Sequence, residues 1–207
     1  MNRQIILFDF DGVIVDSFEG AYEVNRSFEP SLTREEMKRR FEGNINESWA
    51  EANGRPLTDE DEKYFFDRYV PALMKSPIFR GILECIKNLA ENYILMVVSS
   101  SISSPIRKYL ENRNAAQYFT EIMGNDIHRS KVEKIKMIFE KYGVGPEDCL
   151  SITDTLGDLR EAEKAGVESI AVAWGFHDKE TLSRGNPIAL ANKPEELIEK
   201  VSQFFGQ

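Results

Sequence analysis

The segment Ile5-Ile6-Leu7-Phe8-Asp9-Phe10-Asp11-Gly12-Val13-Ile14-Val15-Asp16-Ser17 opens with an apolar run that ends in two carboxylates one residue apart. Such a run predicts a buried β-strand, and a buried strand does not keep unpaired carboxylates inside it. We therefore expect Asp9 and Asp11 at the carboxyl end of this strand, where open α/β sheets bind their ligands. A single aspartate at a strand end often only caps a turn, but two of them followed by Gly12 indicate a functional site.

The length and charge of the chain limit the classes of protein to which it can belong. Its 207 residues exceed a minimal domain and fall short of two full ones, which favours one core with a sizeable insertion. The formal net charge of -9 argues against nucleic-acid binding, because no basic face is available to neutralise phosphates. The first strand begins within a few residues, so we expect no signal peptide, no membrane-spanning segment and a cytoplasmic location.

The cysteines and histidines do not form a recognisable site. Cys85 and Cys149 are far apart in sequence and each lies in an apolar pattern, which predicts two reduced core thiols rather than a disulfide or metal pair. His128 and His177 lack the spacing of metal ligands, so neither is assigned to a metal.

From Tyr93 onward, strand patterns alternate with helix patterns. This alternation predicts an α/β fold, namely a Rossmann-like parallel sheet with helices on both faces. The predicted strands cover residues 94–98, 119–123, 149–152 and 169–173, and the predicted helices begin near Pro105 and cover residues 131–142, 156–165 and 194–205.

Residues 17–77 interrupt this alternation and contain no convincing strand. Their patterns predict helices at about 19–28, 34–41, 48–52 and 59–75, and Thr33 and Thr58 are typical N-caps ahead of acidic first turns. A helical unit inserted directly after the first strand lies over the carboxyl end of that strand. We therefore expect residues 17–77 to form a cap over a core made of residues 1–16 and 78–207.

Three further polar clusters are associated with strand ends in the α/β part. They are Ser99–Ser101, Lys131 at the start of its helix, and the segment Asp154-Thr155-Leu156-Gly157-Asp158. Parallel strands end at one edge of a sheet, so these clusters should converge with Asp9 and Asp11. Each cluster alone could be a helix N-cap, a solvated lysine or an acidic helix start, but these explanations do not account for their joint placement.

The converging side chains suit phosphoryl transfer through a covalent aspartyl phosphate. A carboxylate that attacks phosphorus is an anion approaching an anion, so a divalent cation must screen the repulsion. Mg²⁺ prefers oxygen ligands, and Asp9 and Asp154 together with a backbone carbonyl can hold it. Asp158, one helical turn beyond Asp154, can hold a metal-bound water or orient the other ligands.

The remaining side chains suit the phosphoryl group and the proton. The hydroxyl of Ser99 and the ammonium of Lys131 can hydrogen-bond to the phosphoryl oxygens while charge spreads over them. Asp11 can protonate the leaving alkoxide and then deprotonate the hydrolytic water.

On these motifs the chain resembles the haloacid dehalogenase superfamily, in the subgroup with an α-helical cap inserted after the first strand. Asp9-Phe10-Asp11-Gly12-Val13 matches the first motif, Ser99 with Ser100 the second, Lys131 the third, and Asp154-Thr155-Leu156-Gly157-Asp158 the fourth. The resemblance implies that Asp9 is the nucleophile and that Asp11 is the acid/base, whose backbone carbonyl also binds Mg²⁺. It likewise implies that Ser99, Ser100 and Lys131 bind the phosphate.

The resemblance leaves more than one function open. Dehalogenases need no acid at Asp11, because halide leaves without protonation, so the expected activity is that of a Mg²⁺-dependent phosphatase similar to phosphoglycolate phosphatases. Its partner would be a small phosphorylated metabolite. A phosphosugar mutase of the β-phosphoglucomutase type is the alternative, since it would use the same aspartates. A non-catalytic phospho-acceptor module fits less well, because receiver domains lack a helical insertion after the first strand.

Two positions depart from the usual motifs, and the cap supplies the candidates for specificity. Thr153 stands where many relatives have glycine, and Ser100 stands where asparagine is frequent, which loosens the link to any one substrate. Arg40, Asn44 and Trp49 lie in or near a predicted cap turn and are candidates for contacting the leaving group. Packing within the cap, or pairing of arginine with neighbouring glutamates, would explain the same residues equally well.

Overall fold

The computed structural model describes residues 4–206, apart from the side chains of Asn46, Ala52 and Asn53. Its strands are β1 (Ile5–Phe8), β2 (Ile94–Val98), β3 (Phe119–Met123), β4 (Cys149–Thr153), β5 (Glu168–Val172) and β6 (Ala189–Ala191). They form one six-stranded sheet in the order β3-β2-β1-β4-β5-β6, and each neighbouring pair is parallel. This topology confirms the predicted Rossmann-like α/β fold.

Helices connect the strands and also fill the segment after β1. Four helices follow β1 directly: α1 (Phe18–Phe28), α2 (Arg34–Arg40), α3 (Ile45–Asn53) and α4 (Asp59–Leu73). The others are α5 (Ile82–Leu89), α6 (Ser103–Glu111), α7 (Lys131–Tyr142), α8 (Leu156–Lys164), α9 (Lys179–Ser183) and α10 (Glu196–Phe205). The limits of the cap and of the core as separate domains stay a prediction.

The sheet is buried on both faces. Successive residues of a strand point to opposite faces, so Ile6 and Phe8 pack in a different core from Ile5 and Leu7. The first core holds buried side chains of α5, α6 and α10, whereas the second holds those of α7 and α8. This two-sided burial explains why the central strands β1 and β2 read as unbroken apolar runs.

The register of the sheet brings the polar strand ends together. Phe8, the last residue of β1, pairs with Val97 of β2 and with Ile152 of β4. The chain leaves β1 toward β2 and β3 and later crosses to β4 on the other side of β1. The carboxyl ends of β1 and β4 therefore flank the crevice in which sheets of this topology bind ligands.

Several element boundaries differ from the sequence-based expectations. The helix expected near Pro105 begins at Ser103, and the third helix of the segment after β1 is longer than the predicted 48–52. Thr33 and Thr58 each form the expected capping box with the acidic side chain three residues later. Helices α5 and α9 and strand β6 had not been predicted, and the last two have only five and three residues.

The helices that follow β1 reach the carboxyl edge of the sheet at the start of α8. The backbone N–H of Gly157 donates to the carbonyl of Phe41 at 2.9 Å. A Cβ at residue 157 would overlap the carbonyl oxygen of Gly43, so only glycine permits this approach. Within residues 4–206, no helix is both long and apolar enough to span a membrane.

Candidate active site

Asp9 is buried at the end of β1 with both carboxylate oxygens engaged. Its Oδ1 accepts from the backbone N–H of Phe10 at 2.7 Å, and its Oδ2 lies 2.9 Å from Nζ of Lys131. Lys131 is the first residue of α7, whose N-cap Ser130 accepts from the N–H of Glu133. The start of α7 thus directs the ammonium group into the sheet edge.

Lys131 also forms an ion pair with Asp158, and burial shifts the pKa values of the carboxyl groups around it. Nζ of Lys131 lies 2.9 Å from Oδ2 of Asp158, and both side chains are largely buried. Burial raises the pKa of Asp9 well above its usual range, and the charges of Asp158 and Asp154 add to this shift while Lys131 opposes it. Burial acts on Asp158 as well, but Lys131 and the hydrogen bonds around it outweigh that effect and hold its pKa at about 2.

Asp154 follows β4 and is completely buried, with one oxygen lacking a partner. Its Oδ2 accepts from the N–H of Phe176 at 2.6 Å, whereas its Oδ1 has no hydrogen-bond partner among the described residues. Burial raises the pKa of Asp154 to about 8. Gly12, with φ of 75°, packs directly on this carboxylate, and a Cβ there would overlap it.

This arrangement fits a divalent cation. The charges of Asp9, Asp154 and Asp158 act on one another in a buried space that also holds the ammonium groups of Lys131 and Lys134, so three carboxylates are met by two cations. Among the described residues, no three such side chains already form a ligand group for a metal ion. A buried carboxylate oxygen without a partner, such as Oδ1 of Asp154, is costly unless a cation or donor meets it. Hard oxygen donors of this type suit Mg²⁺.

Asp11 lies near Asp9 but accepts from a different set of groups. Its carboxylate accepts from Oγ of Ser17 at 2.7 Å, from Oγ of Ser101 at 2.7 Å, and from the hydroxyl of Tyr69. Tyr69 belongs to α4 and is buried, so a helix of the inserted segment contacts the predicted acid/base. The sequence does not mark Tyr69 as a site residue, because a tyrosine in an amphipathic helix has the same pattern as a core residue.

Ser99 is buried directly after β2, and its backbone carbonyl accepts a hydrogen bond from Lys134. The Ser99 hydroxyl accepts from the N–H of Ser101 at 3.0 Å. Ser99 and Ser100 both line a cavity of about 550 Å³, the main cavity, which Asp9 and Lys131 also line. Nζ of Lys134 donates to the Ser99 carbonyl at 2.5 Å and lies 3.4 Å from the carbonyl oxygen of Gly124. This fully buried lysine therefore joins the loops that follow β2 and β3.

The burial of Lys134 predicts a pH dependence of stability. Burial, with a smaller contribution from Lys131, lowers the pKa of Lys134 from its ordinary 10.5 to about 8. Between these values the unfolded chain binds the proton more tightly than the folded protein, so rising pH favours folding. We expect the stability of the wild type relative to Lys134→Met to increase by roughly 2 kcal/mol between about pH 7 and pH 10, measured by denaturant unfolding. Parallel curves would contradict this.

Thr153, which stands where many members of the family have glycine, makes a hydrogen bond in the site. Its hydroxyl donates to Oδ2 of Asp158 at 3.0 Å, so it helps to hold this carboxylate beside Lys131. A glycine at this position would supply no such donor. Asp158 itself lies in the first turn of α8, which is capped by the side chain of Thr155.

The three cap residues predicted to contact the leaving group lie in different environments. Trp49 lines the main cavity, with the guanidinium of Arg55 4.9 Å from its ring centroid. Arg40 lines the main cavity and forms an ion pair with Glu29.

The amide of Asn44 donates to Oε1 of Glu161 at 3.1 Å, and the same oxygen accepts from the backbone N–H of Lys131 at 3.1 Å. Asn44 thus connects the segment after α2 to the start of α7, and its contact with a leaving group stays a prediction.

The cysteines and His177 have structural surroundings. Cys85 and Cys149 are both buried free thiols. The ring of His177 accepts at Nδ1 from the N–H of Leu156 at 3.0 Å and lies 2.8 Å from the carbonyl oxygen of Lys38 through Nε2. These two contacts require the neutral ring with its proton on Nε2, which agrees with the lowering of its pKa by burial.

Known proteins resemble this chain in sequence and in fold. The sequence model described as haloacid dehalogenase-like hydrolase matches residues 6–172. The phosphoglycolate phosphatase of Synechococcus elongatus is 23% identical, over 99% of this chain and 100% of that protein. The pyrophosphatase PpaX of Oceanobacillus iheyensis is 26% identical over 100% of both chains. A crystal structure of a predicted phosphatase from Clostridium acetobutylicum superposes with a TM-score of 0.82 at 24% identity, covering 98% of this chain and 100% of that one.

Proposed function

Because the chain belongs to the haloacid dehalogenase-like hydrolase family, we propose that it is a Mg²⁺-dependent phosphatase that hydrolyses a small phosphate monoester through an aspartyl phosphate. One observation carries this proposal. Lys131 lies 2.9 Å from a carboxylate oxygen of both Asp9 and Asp158, and the buried Asp154 has one carboxylate oxygen without a hydrogen-bond partner among the described residues. The names of the phosphatase relatives support the same reaction class, and phosphoglycolate is the substrate they suggest.

The proposed reaction has two half-reactions, in which Asp9 and Asp11 have different roles. In the first, a carboxylate oxygen of Asp9 forms a bond to phosphorus while the bond from phosphorus to the leaving oxygen breaks, and Asp11 gives that oxygen a proton. In the second, Asp11 takes a proton from water, which attacks phosphorus and releases the carboxylate of Asp9. Ser99 and Lys131 would donate to the phosphoryl oxygens throughout.

The metal would be held by the carboxylates of Asp9 and Asp154 and the backbone carbonyl of Asp11, with Asp158 close by. Bound there, Mg²⁺ would screen the repulsion between the carboxylate of Asp9 and the phosphoryl oxygens. The unpartnered Oδ1 of Asp154 supports this assignment.

Replacement of Asp154 by Asn tests the metal site. We expect the Mg²⁺ concentration needed for half-maximal phosphate release to rise by about 10- to 100-fold, because an amide is a weaker ligand than a carboxylate. In the presence of a chelator, the variant should be at least as stable as the wild type, since Asn removes the cost of burying or protonating a carboxyl group that lacks a full set of partners. Asp67→Asn, an exposed change, is the control. An unchanged Mg²⁺ requirement would exclude Asp154 as a ligand.

The function itself is tested by phosphate release from a panel of monoesters, including 2-phosphoglycolate and hexose phosphates, with and without Mg²⁺. Release that requires Mg²⁺ would support the phosphatase. Isomerisation of a sugar phosphate without net phosphate release would instead favour the mutase alternative. No reaction with any ester would count against both enzymes.

We further propose a cytoplasmic location. Its support is that Cys85 and Cys149 are buried free thiols, as expected in a reducing compartment.

A further inference from the structure

The main cavity, of about 550 Å³, extends from the catalytic carboxylates into the helices that follow β1. Asp9, Asp11 and Lys131 lie at its inner end, so the leaving group of a bound phosphate ester would project into this space. The volume lies within the range of pockets that enclose drug-sized ligands. A two-carbon leaving group would fill only a minor part of it.

The outer wall of this cavity is aromatic. Helix α4 supplies Tyr64, Phe65 and Phe66, and helix α1 supplies Phe28. The rings of Phe28 and Tyr64 lie 4.9 Å apart, and those of Phe65 and Phe66 lie 5.3 Å apart. Phe28 and Tyr64 are 42% and 50% exposed. The guanidinium of Arg68 covers one face of the Tyr64 ring at 3.5 Å from its centroid, whereas it lies 5.8 Å from the centroid of the Phe28 ring. Aromatic surfaces of this kind gain free energy by covering an apolar ring of a ligand.

The charged side chains of the cavity are already paired with each other. Of the cations among the described lining residues, Arg40 pairs with Glu29, and Arg55 forms a two-pronged ion pair with Asp61 at 2.7 and 2.9 Å. The third, Lys131, pairs with the catalytic carboxylates.

Three carboxylates that line the cavity outside the catalytic cluster are paired with arginines as well: Glu29 with Arg40, Asp61 with Arg55, and Glu62 with Arg129. A leaving group with its own carboxylate would therefore lose water without gaining an unpaired cation from the described residues that line the cavity.

We propose that the leaving group of the physiological substrate is uncharged and carries an apolar part at least as large as a single ring. This inference rests on the proposed phosphatase function and specifies the substrate class of the same site. It separates this chain from a strict phosphoglycolate phosphatase, whose leaving group is a small carboxylate.

Four phosphate esters of primary alcohols separate size from charge: benzyl phosphate, 4-carboxybenzyl phosphate, ethyl phosphate and 2-phosphoglycolate. Benzyl and 4-carboxybenzyl phosphate differ only in the carboxylate, and ethyl phosphate lacks the ring. For the wild type with Mg²⁺, we expect kcat/KM for benzyl phosphate to exceed that for each of the other three by about tenfold or more.

Phe28→Ala tests whether the aromatic wall is the cause. We expect kcat/KM for benzyl phosphate to fall by about three- to fivefold, with no change for ethyl phosphate, because only the ring reaches that wall. Met137→Ala is the matched control, since Met137 is 43% exposed on α7 and does not line the cavity. It should leave both values unchanged.

The failures of the two proposals are distinguishable. Phosphate release from 2-phosphoglycolate, ethyl phosphate or 4-carboxybenzyl phosphate that equals release from benzyl phosphate would overturn the inference while leaving a phosphatase. An equal effect of Phe28→Ala on benzyl and ethyl phosphate would overturn the role of the aromatic wall. The absence of release from all four esters would overturn the phosphatase function and the inference together.

Discussion

Asp9→Asn is expected to reduce phosphate release by about four orders of magnitude or more, since loss of a nucleophile removes the covalent route altogether. An amide nitrogen or oxygen is too weak a nucleophile to replace a carboxylate. The variant should still bind substrate, because Ser99 and Lys131, the expected phosphate contacts, remain in place.

The Asn variant is also expected to fold, which makes the loss of activity interpretable. Burial already raises the pKa of Asp9, so the carboxylate is costly in the folded protein. The side-chain oxygen of Asn can still accept from the N–H of Phe10. Lys131 keeps its second partner, Asp158. We therefore expect a free energy of unfolding within about 1 kcal/mol of the wild type.

Asp16→Asn is the matched control, because Asp16 is an exposed aspartate of the same segment. It should keep full activity. Retention of more than a tenth of wild-type activity by Asp9→Asn would contradict an aspartyl-phosphate mechanism.

The sequence predicts the fold and the central carboxylates because both depend on patterns within single segments. Strand β1 reads as an apolar run because both faces of the sheet are covered, and Asp9 directly follows its last residue. The parallel register with β4 then places Asp154 at the same edge. Apolar runs that end in acidic residues therefore predict which carboxylates meet at this edge of the sheet, and the roles of these residues stay predictions.

The contacts that the sequence does not predict join segments that are distant in the chain. Tyr69 is separated from Asp11 by 58 residues, and its helical position is equally typical of the cap core. Asn44 meets Glu161 across 117 residues. Arg40 was predicted from its charge, but only the structure shows that Glu29 neutralises it. Periodicity reports which face of an element is buried and not which side chain lies opposite.

Short elements were missed for a different reason. Strand β6 has three residues and helix α9 has five, which is shorter than the stretch over which a strand or helix periodicity can be recognised. Tertiary packing forms them, since Ala191 and Leu182 are completely buried.

Lys131→Met is expected to lower both activity and stability by large amounts. Lys131 is 6% exposed and lies 2.9 Å from a carboxylate oxygen of both Asp9 and Asp158. Removal of the ammonium leaves these carboxylates buried without their cation, and breaking a buried pair in this way typically costs about 3–5 kcal/mol. Phosphate release should fall by about a thousandfold, because the variant also loses a donor to the phosphoryl oxygens.

Stability should be measured by denaturant unfolding at neutral pH with a chelator present, because a bound divalent cation would compensate for part of the missing charge. Lys136→Met is the matched control: it makes the same substitution in the same helix at an exposed residue that pairs with Glu133. Surface pairs of this kind contribute at most about 1 kcal/mol.

A second substitution identifies the origin of the destabilisation. If uncompensated charge causes it, Asp158→Asn introduced into Lys131→Met should recover part of the lost stability, because one of the unpaired carboxylates becomes neutral. In the wild-type background the same change should not stabilise, since it removes a partner of Lys131. Equal effects of Asp158→Asn in both backgrounds, or a Lys131→Met variant as stable as Lys136→Met, would show that Lys131 does not hold this cluster of carboxylates together.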